Sequence, residues 1–219
     1  MSWHNRIELG CELPRPYLEH IQIGTMAYSY KGVPMLKNPF DLALYQLLVW
    51  EQKPRTVIEI GSHAGGSALW FADLLRTYGI EGTVHSVDIQ RPDQNFPGVR
   101  FYGGDGRRLG ATLRPEMMAA FLRPILVIED ADHQPETTLA ALRFFDPWLR
   151  RGEYIVVEDG NLDDLFDPAT AANWNGGPRR AIKEFLADRG DDYGIDQRFC
   201  DYYGQNVTWN VNGYLKKVR

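Results

Sequence analysis

Three carboxylates and one histidine stand in this chain where they could hold a cation and move a proton. The first group is Val127-Ile128-Glu129-Asp130-Ala131-Asp132-His133. The second, about one βα unit later, is Ile155-Val156-Val157-Glu158-Asp159. Each group ends an apolar run with the continuous hydrophobicity of a buried parallel strand. Acids at the carboxyl ends of neighbouring strands converge above the sheet, on the edge where open α/β sheets bind ligands. Carboxylates sharing one point repel one another unless a cation lies between them. Oxygen donors suit a hard ion such as Mg²⁺. His133, three residues after Asp130, is placed to accept a proton from a bound group. An acid at a strand end can equally cap the next helix or pair with an arginine. Two acidic pairs flanking one crossover, in a chain that also carries a glycine loop, favour a site.

The glycine loop follows the strand Thr56-Val57-Ile58-Glu59-Ile60 and reads Gly61-Ser62-His63-Ala64-Gly65-Gly66-Ser67-Ala68. Glycine lets backbone approach a ligand closely, and a helix start offers free N–H groups to an anion. His63 stands where the second glycine of the dinucleotide fingerprint would be, so the spacing is G-x-x-x-G-G and the fingerprint is not met. The next strand, Thr83-Val84-His85-Ser86-Val87-Asp88, ends in an acid that suits the two hydroxyls of a ribose. A third, Val99-Arg100-Phe101-Tyr102, runs into Gly103-Gly104-Asp105-Gly106. Loop, ribose acid and further acid arrive in the order a nucleoside site requires.

The elements that must position these residues alternate along the chain. Residues 1–40 read as an irregular arm containing Pro14, Pro16, Pro34 and Pro39, and its tyrosines hint at self-association. Residues 41–219 read as a single domain. Within it, a helix begins at Asp41 as N-cap and ends before Pro54. Strands are predicted at 55–60, 83–89, 99–102, 124–129 and 153–158, with helices at 65–78, 107–122 and 135–149. This rhythm means a parallel sheet with right-handed crossovers. Residues 160–178 break it with a polar stretch that suits a substrate loop or a surface excursion. A helix at 179–189 and strands near 195–202 and 207–216 complete the sheet. The stripe Leu139, Leu142, Phe145 and Trp148 is core packing at helical spacing.

The chain resembles the S-adenosylmethionine-dependent O-methyltransferases of the cephalosporin hydroxylase or rhamnosyl O-methyltransferase family. The resemblance rests on Tyr28-Ser29-Tyr30-Lys31-Gly32-Val33, Lys37-Asn38-Pro39-Phe40-Asp41, the loop from Glu59 to Ala68, Val87-Asp88-Ile89, Asp130-Ala131-Asp132-His133 and Tyr154 to Asp159. It implies a class I methyltransferase fold: α/β, Rossmann-like, a doubly wound and mostly parallel seven-stranded sheet ending in an antiparallel hairpin. By this resemblance Glu59, Gly61, Ser62, Gly65, Gly66 and Ser67 belong to the cofactor site, Asp88 holds the ribose and Asp105 lies near the adenine. Asp130, Glu158 and Asp159 match a metal-ligand pattern for Mg²⁺ or another divalent cation, and His133 matches a general base. Glu129 departs from the pattern and leaves open which neighbouring acid meets the metal. No role is implied for Lys37 or Asp41. The implied reaction is methyl transfer from S-adenosylmethionine to a hydroxyl of a small molecule, a sugar or natural-product alcohol.

Composition narrows the alternatives. At 219 residues, with 44% hydrophobic and 24% charged residues, the chain is long enough for a sizeable core. A net charge of −5 with scattered basic residues disfavours nucleic acid. No apolar run reaches the ~18 residues of a membrane span. Cys11 and Cys200 form no C-x-x-C, and the first residues lack a signal-peptide core, so a cytoplasmic protein is expected. Hydroxylation by non-haem iron needs two histidines and a carboxylate; none of the five histidines forms that arrangement. Two other readings remain: a nicotinamide-dependent oxidoreductase, disfavoured by the loop spacing, and a non-catalytic cofactor-binding protein, disfavoured by the intact acid trio.

Overall fold

Runs rich in valine and isoleucine form the centre of a sheet, and the amphipathic stretches between them form its covering helices. The computed structural model describes residues 2–219; Met1, which begins the expected arm, lies outside the described residues. The chain opens with α1 (Trp3–Arg6), α2 (Arg15–Ala27) and a small antiparallel hairpin of β1 (Ser29–Tyr30) and β2 (Val33–Pro34). Then come α3 (Pro39–Gln52), β3 (Thr56–Ile60), α4 (Gly66–Thr77), β4 (Thr83–Asp88) and β5 (Val99–Gly103). A 3₁₀ turn, Gly106–Arg108, leads into α5 (Leu109–Thr112) and α6 (Pro115–Ala120). β6 (Ile125–Glu129), α7 (Pro135–Phe145) and β7 (Tyr154–Val157) follow. The last part holds α8 (Leu162–Leu165), α9 (Pro168–Ala171), α10 (Gly177–Arg189), β8 (Tyr193–Ile195), α11 (Gln197–Cys200) and β9 (Tyr214–Lys217).

The seven-stranded sheet has the order β5-β4-β3-β6-β7-β9-β8. Only β9 runs antiparallel, against both β7 and β8. The chain leaves β3 toward β4 and β5, then returns to build β6 and β7 on the other side, so the order reverses between β3 and β6. That reversal is where doubly wound sheets open a crevice for ligands. Register is flush there, with Ile60 opposite both Val87 and Glu129, and Glu129 opposite Val157.

Two core layers sandwich the sheet, and the period of two decides which residue joins which. Ile58, Ile60, Ile125, Val127, Ile155 and Val157 pack on the face covered by α7 and α10. Val57, Leu126, Ile128, Tyr154 and Val156 pack on the face covered by α3 and α4. A third cluster, Leu18, Leu165 and Trp209, ties α2 to α8 and to the chain before β9.

The expected elements are largely present, with five physical differences. The arm is not irregular. Pro16 lies in the first turn of α2, where a missing N–H costs nothing, so the prolines there start a helix. α3 begins earlier than expected: Asn38 is its N-cap, accepting from the N–H groups of Phe40 and Asp41 at 2.9 and 3.0 Å. Asp41 is instead buried, accepting from Thr208 and, at 3.0 Å, from the Trp209 N–H. The helix expected at 107–122 is broken into short pieces at Pro115, which cannot continue a helix. The polar stretch 160–178 contains α8 and α9. Finally, β8 and β9 are antiparallel as expected but short, and β8 stops at Ile195: Gln197–Cys200, expected within a strand, is α11, capped by Asp196 through the Arg198 N–H at 3.1 Å. Residues 205–213 turn rather than extend, because Asn206 and Asn212 take left-handed backbone and their amides donate to Leu9 O at 2.8 and 2.9 Å.

Candidate active site

The backbones following β3, β6 and β7 are stitched together just above the sheet. Asp130 N–H donates to Ile60 O at 2.8 Å, and Glu158 N–H donates to Glu129 O at 2.9 Å. Gly61 takes φ +100°, and a Cβ there would overlap the carbonyl oxygen of Asp130. The glycine loop and the acid strand therefore touch backbone to backbone.

Alternation sorts the acids. Asp130 follows Ile128, and Glu158 follows Val156, so both carboxylates lean toward the face carrying α3. Lys37, on the short segment before α3, meets them there. Its ammonium donates to Asp130 and, at 2.7 Å, to Glu158 Oε2. Tyr45 of α3 donates its hydroxyl to Glu158 Oε1 at 2.7 Å. Glu129 falls on the opposite face and is buried. Burial pushes its carboxyl up to about 7. Asp132 is exposed, paired with Arg107 at 2.9 Å and accepting from Gln134 N–H at 3.1 Å.

Asp159 and His133 complete the cluster. The donor atoms of Asp130, His133 and Asp159 all lie within 4.8 Å of one another. His133 Nδ1 is 3.4 Å from Asp159 Oδ2 and makes no hydrogen bond among the described residues. Both residues hold left-handed backbone, φ +58° and +54°. Such strain in non-glycine residues costs about 1–3 kcal/mol each and gathers at functional sites. The electrostatics are those of crowded acids. Burial raises Asp130, with Asp159 adding to it and Lys37 opposing; Asp159 is raised by burial against His133. Burial opposes the charge on Lys37 and His133, but the surrounding carboxylates outweigh it and raise both.

A cavity of about 720 Å³ joins this cluster to the glycine loop. Gly61, Ser62, Ser67, Asp88 and Asp105 line one half. Asp88 shapes the loop as well as facing the cavity: its Oδ2 accepts from the N–H groups of Ser62 and His63 at 2.8 and 3.0 Å. Asp105 caps the following turn through Arg107 N–H at 2.9 Å. Glu59, Gly65 and Gly66 stand behind this wall. Glu59 is buried, accepts from Ser86 Oγ at 2.5 Å and is pushed up to about 7 by burial. Ser86 in turn bonds Ser62 Oγ at 2.6 Å, so the acid supports the loop from below. Gly65 leaves room for the Phe101 ring, and Gly66 for the Pro34 carbonyl. The other half of the cavity carries Gln22 and Met26 of α2, Leu165, Phe166 and Trp174 of the polar stretch, and Trp209. Phe166 and Trp174 stack with centroids 5.2 Å apart, and Trp209 Nε1–H donates to Gln22 at 2.7 Å.

Sequence reasoning left Lys37 in a family-like pattern without a role and missed Tyr45 and Trp209, which carry no local signature that separates them from ordinary core aromatics. His85 lies mid-strand in β4, bonded to Tyr102 at 2.9 Å and packed on Phe121, away from the main cavity. Burial, then Arg100, lowers it to about 4.

The model of the family described as Rhamnosyl O-methyltransferase/CmcI matches residues 24–102 and 113–218. A rhamnosyl O-methyltransferase of Mycobacterium leprae (strain TN) is 31% identical over 193 residues, 85% of this chain and 82% of that protein. One from Mycobacterium tuberculosis (strain ATCC 25618 / H37Rv) is 28% identical over 85% of this chain and 77% of its own length. Among solved structures, CmcI with Mg and SAM is 25% identical, covering 89% of this chain and 78% of that one with a TM-score of 0.65. The mycinamycin-pathway methyltransferase MycE, 18% identical with a TM-score of 0.55 over 94% of this chain and 55% of its own, shares the fold.

Proposed function

The chain belongs to the Rhamnosyl O-methyltransferase/CmcI family, and on that premise we propose that it moves a methyl group from S-adenosylmethionine to a hydroxyl of a sugar or natural-product alcohol, with a divalent ion in attendance. One observation carries the reading: a single cavity runs from the glycine loop to the grouped donors of Asp130, His133 and Asp159. The carboxylate oxygens of that group suit a hard divalent cation, leaving the imidazole available as a base. Asp130 and Asp159 would hold the ion, with Glu158 beside them. Such an ion stabilises negative charge developing on an alcohol oxygen. The cofactor supplies an electrophilic methyl group, leaving alignment to the protein.

The chain's own residues divide the remaining work. Gly61, Ser62, Ser67, Asp88 and Asp105 bind the cofactor, with Glu59 bracing the loop and Gly65 and Gly66 setting its turn into α4. His133 takes the acceptor's proton at its imidazole, and Asp159 orients that ring. Phe166, Trp174 and Trp209 offer flat apolar faces that suit the C–H face of a sugar ring, and the relatives named as rhamnosyl O-methyltransferases support a sugar acceptor. No helix among the described residues is long and apolar enough to cross a membrane. Both cysteines are free, which suits the cytoplasmic location proposed for the enzyme.

The test is methyl transfer from isotope-labelled S-adenosylmethionine to a panel of glycosides and natural-product alcohols, with and without EDTA. Labelled product that disappears with EDTA and returns with Mg²⁺ is expected. Failure to bind S-adenosylhomocysteine in calorimetry, or transfer indifferent to EDTA, would overturn the cofactor or the metal part respectively.

A further inference from the structure

Lys37 is buried where a metal-binding cluster would be expected to hold only anions. Its side chain is 3% exposed, and the two acids it bridges, Asp130 and Glu158, are 19% and 5% exposed. Among the described residues it is the only lysine or arginine paired with either. Two carboxylates cannot stay charged side by side in a dry pocket without a nearby cation. The ammonium supplies one positive charge and joins the ends of β6 and β7.

The two ties differ in how firmly they are held. Glu158 is fixed on its other oxygen by Tyr45, inside the α3 face. Asp130 faces the cavity beside His133 and Asp159. The backbone carrying Lys37 is anchored on both sides: the Pro34 carbonyl packs where Gly66 has no side chain, and Asn38 caps α3. The four-carbon stem of Lys37 supplies the rotatable bonds between that fixed backbone and its ammonium. A divalent ion and an ammonium drawn to the same carboxylate repel each other and compete for its charge.

Resting on the metal reading above, we propose that Lys37 is a resident cation: it keeps Asp130 and Glu158 assembled in the metal-free protein and competes with the divalent ion for Asp130. Metal loading moves its ammonium off Asp130 while Glu158 retains it. Lys37 is a positioning residue that weakens metal affinity and preserves the site between turnovers. A residue that merely held the acids in place for the metal would do the reverse, so the sign of the effect separates the two roles.

The experiment measures Mn²⁺ binding by the electron paramagnetic resonance of the free ion, on the whole protein without cofactor or acceptor. It compares wild type with Lys37→Met, Lys37→Gln and Asp130→Asn. Both Lys37 variants should bind Mn²⁺ about tenfold or more tightly than wild type, because a competing charge a few ångströms away has gone. Binding equal to or weaker than wild type in both overturns the proposal while leaving the metal reading intact. Wild-type affinity in Asp130→Asn would overturn the metal reading itself. Should neither Lys37 variant fold, wild-type nuclear magnetic resonance decides. On adding Mg²⁺, the Lys37 ammonium nitrogen and the Asp130 carboxyl carbon should shift together. A shifted Asp130 with an unmoved Lys37 refutes the competition.

Discussion

Replacing Gly61 with alanine tests whether the cofactor loop and the acid strand act as one unit. The new Cβ would overlap the Asp130 carbonyl oxygen and stand 2.6 Å from its carbon. Non-bonded carbons pack at about 3.5–4.0 Å, so the two backbones must part by about 1 Å. Parting them weakens the Asp130 N–H bond to Ile60 O, now 2.8 Å. A buried group left without its partner costs about 1–3 kcal/mol. Alanine at φ +100° adds about 1 kcal/mol of backbone strain. The sum, about 2–4 kcal/mol, lowers the melting temperature by about 4–16 °C for a domain of this size. A displacement of about 1 Å between loop and acids should also cut turnover about 10²-fold. Gly79→Ala is the control. It carries the same class of backbone, φ +67°, with nothing within 4 Å of the added carbon, so it should lose only the strain term. Thermal unfolding, S-adenosylhomocysteine calorimetry and methyl-transfer rates on both variants make the comparison. The reasoning fails if Gly61→Ala is no less stable than Gly79→Ala and binds S-adenosylhomocysteine as wild type does.

Two further outcomes are expected. His133→Asn should lower turnover by about 10²–10⁴-fold, the usual worth of a general base, with Mn²⁺ affinity within a few-fold of wild type; full activity would remove His133 from the reaction. His85, depressed to about 4 when folded, gains its proton in the unfolded chain first. Its contribution is therefore complete above the unfolded value near 6.5 and is lost as pH falls from there toward 4, up to about 3 kcal/mol. Denaturant titrations at stepped pH should show His85→Gln with a flatter acid limb than wild type, and parallel limbs would contradict this.

Much of the architecture was legible because periodicity carries it. Uninterrupted apolar runs predict buried parallel strands, and β3, β4, β5, β6 and β7 lie within a residue or two of their predicted places. The acids Asp88, Asp130, Glu158 and Asp159 could be placed at strand ends from one dimension, since a strand end is a local event. The glycine loop was legible for the same reason, as Gly61 and Gly65 occupy backbone that other residues resist. The edges were harder. Residues 205–213 carry the polar and apolar alternation of a strand, yet the asparagines spend their amides on Leu9, a partner about two hundred residues away. The arm's prolines read as breakers, whereas Pro16 opens the first turn of α2 and Leu18 packs that helix on Leu165 and Trp209.

The order of parts can be read along the chain: strand, glycine loop, ribose acid, then two acidic strand ends with a histidine between. That order follows from local rules, namely the period of a strand and the conformations glycine permits. Which acids share a point was decided only in three dimensions. The alternation of β6 and β7 turns Asp130 and Glu158 toward α3 and sends the adjacent Glu129 beneath α7. Lys37 and Tyr45, distant in the chain, then reach the first two because α3 packs on that face. Neither the lysine's burial nor its bridge has a local cause, since both depend on the charge of strands folded nearly a hundred residues later.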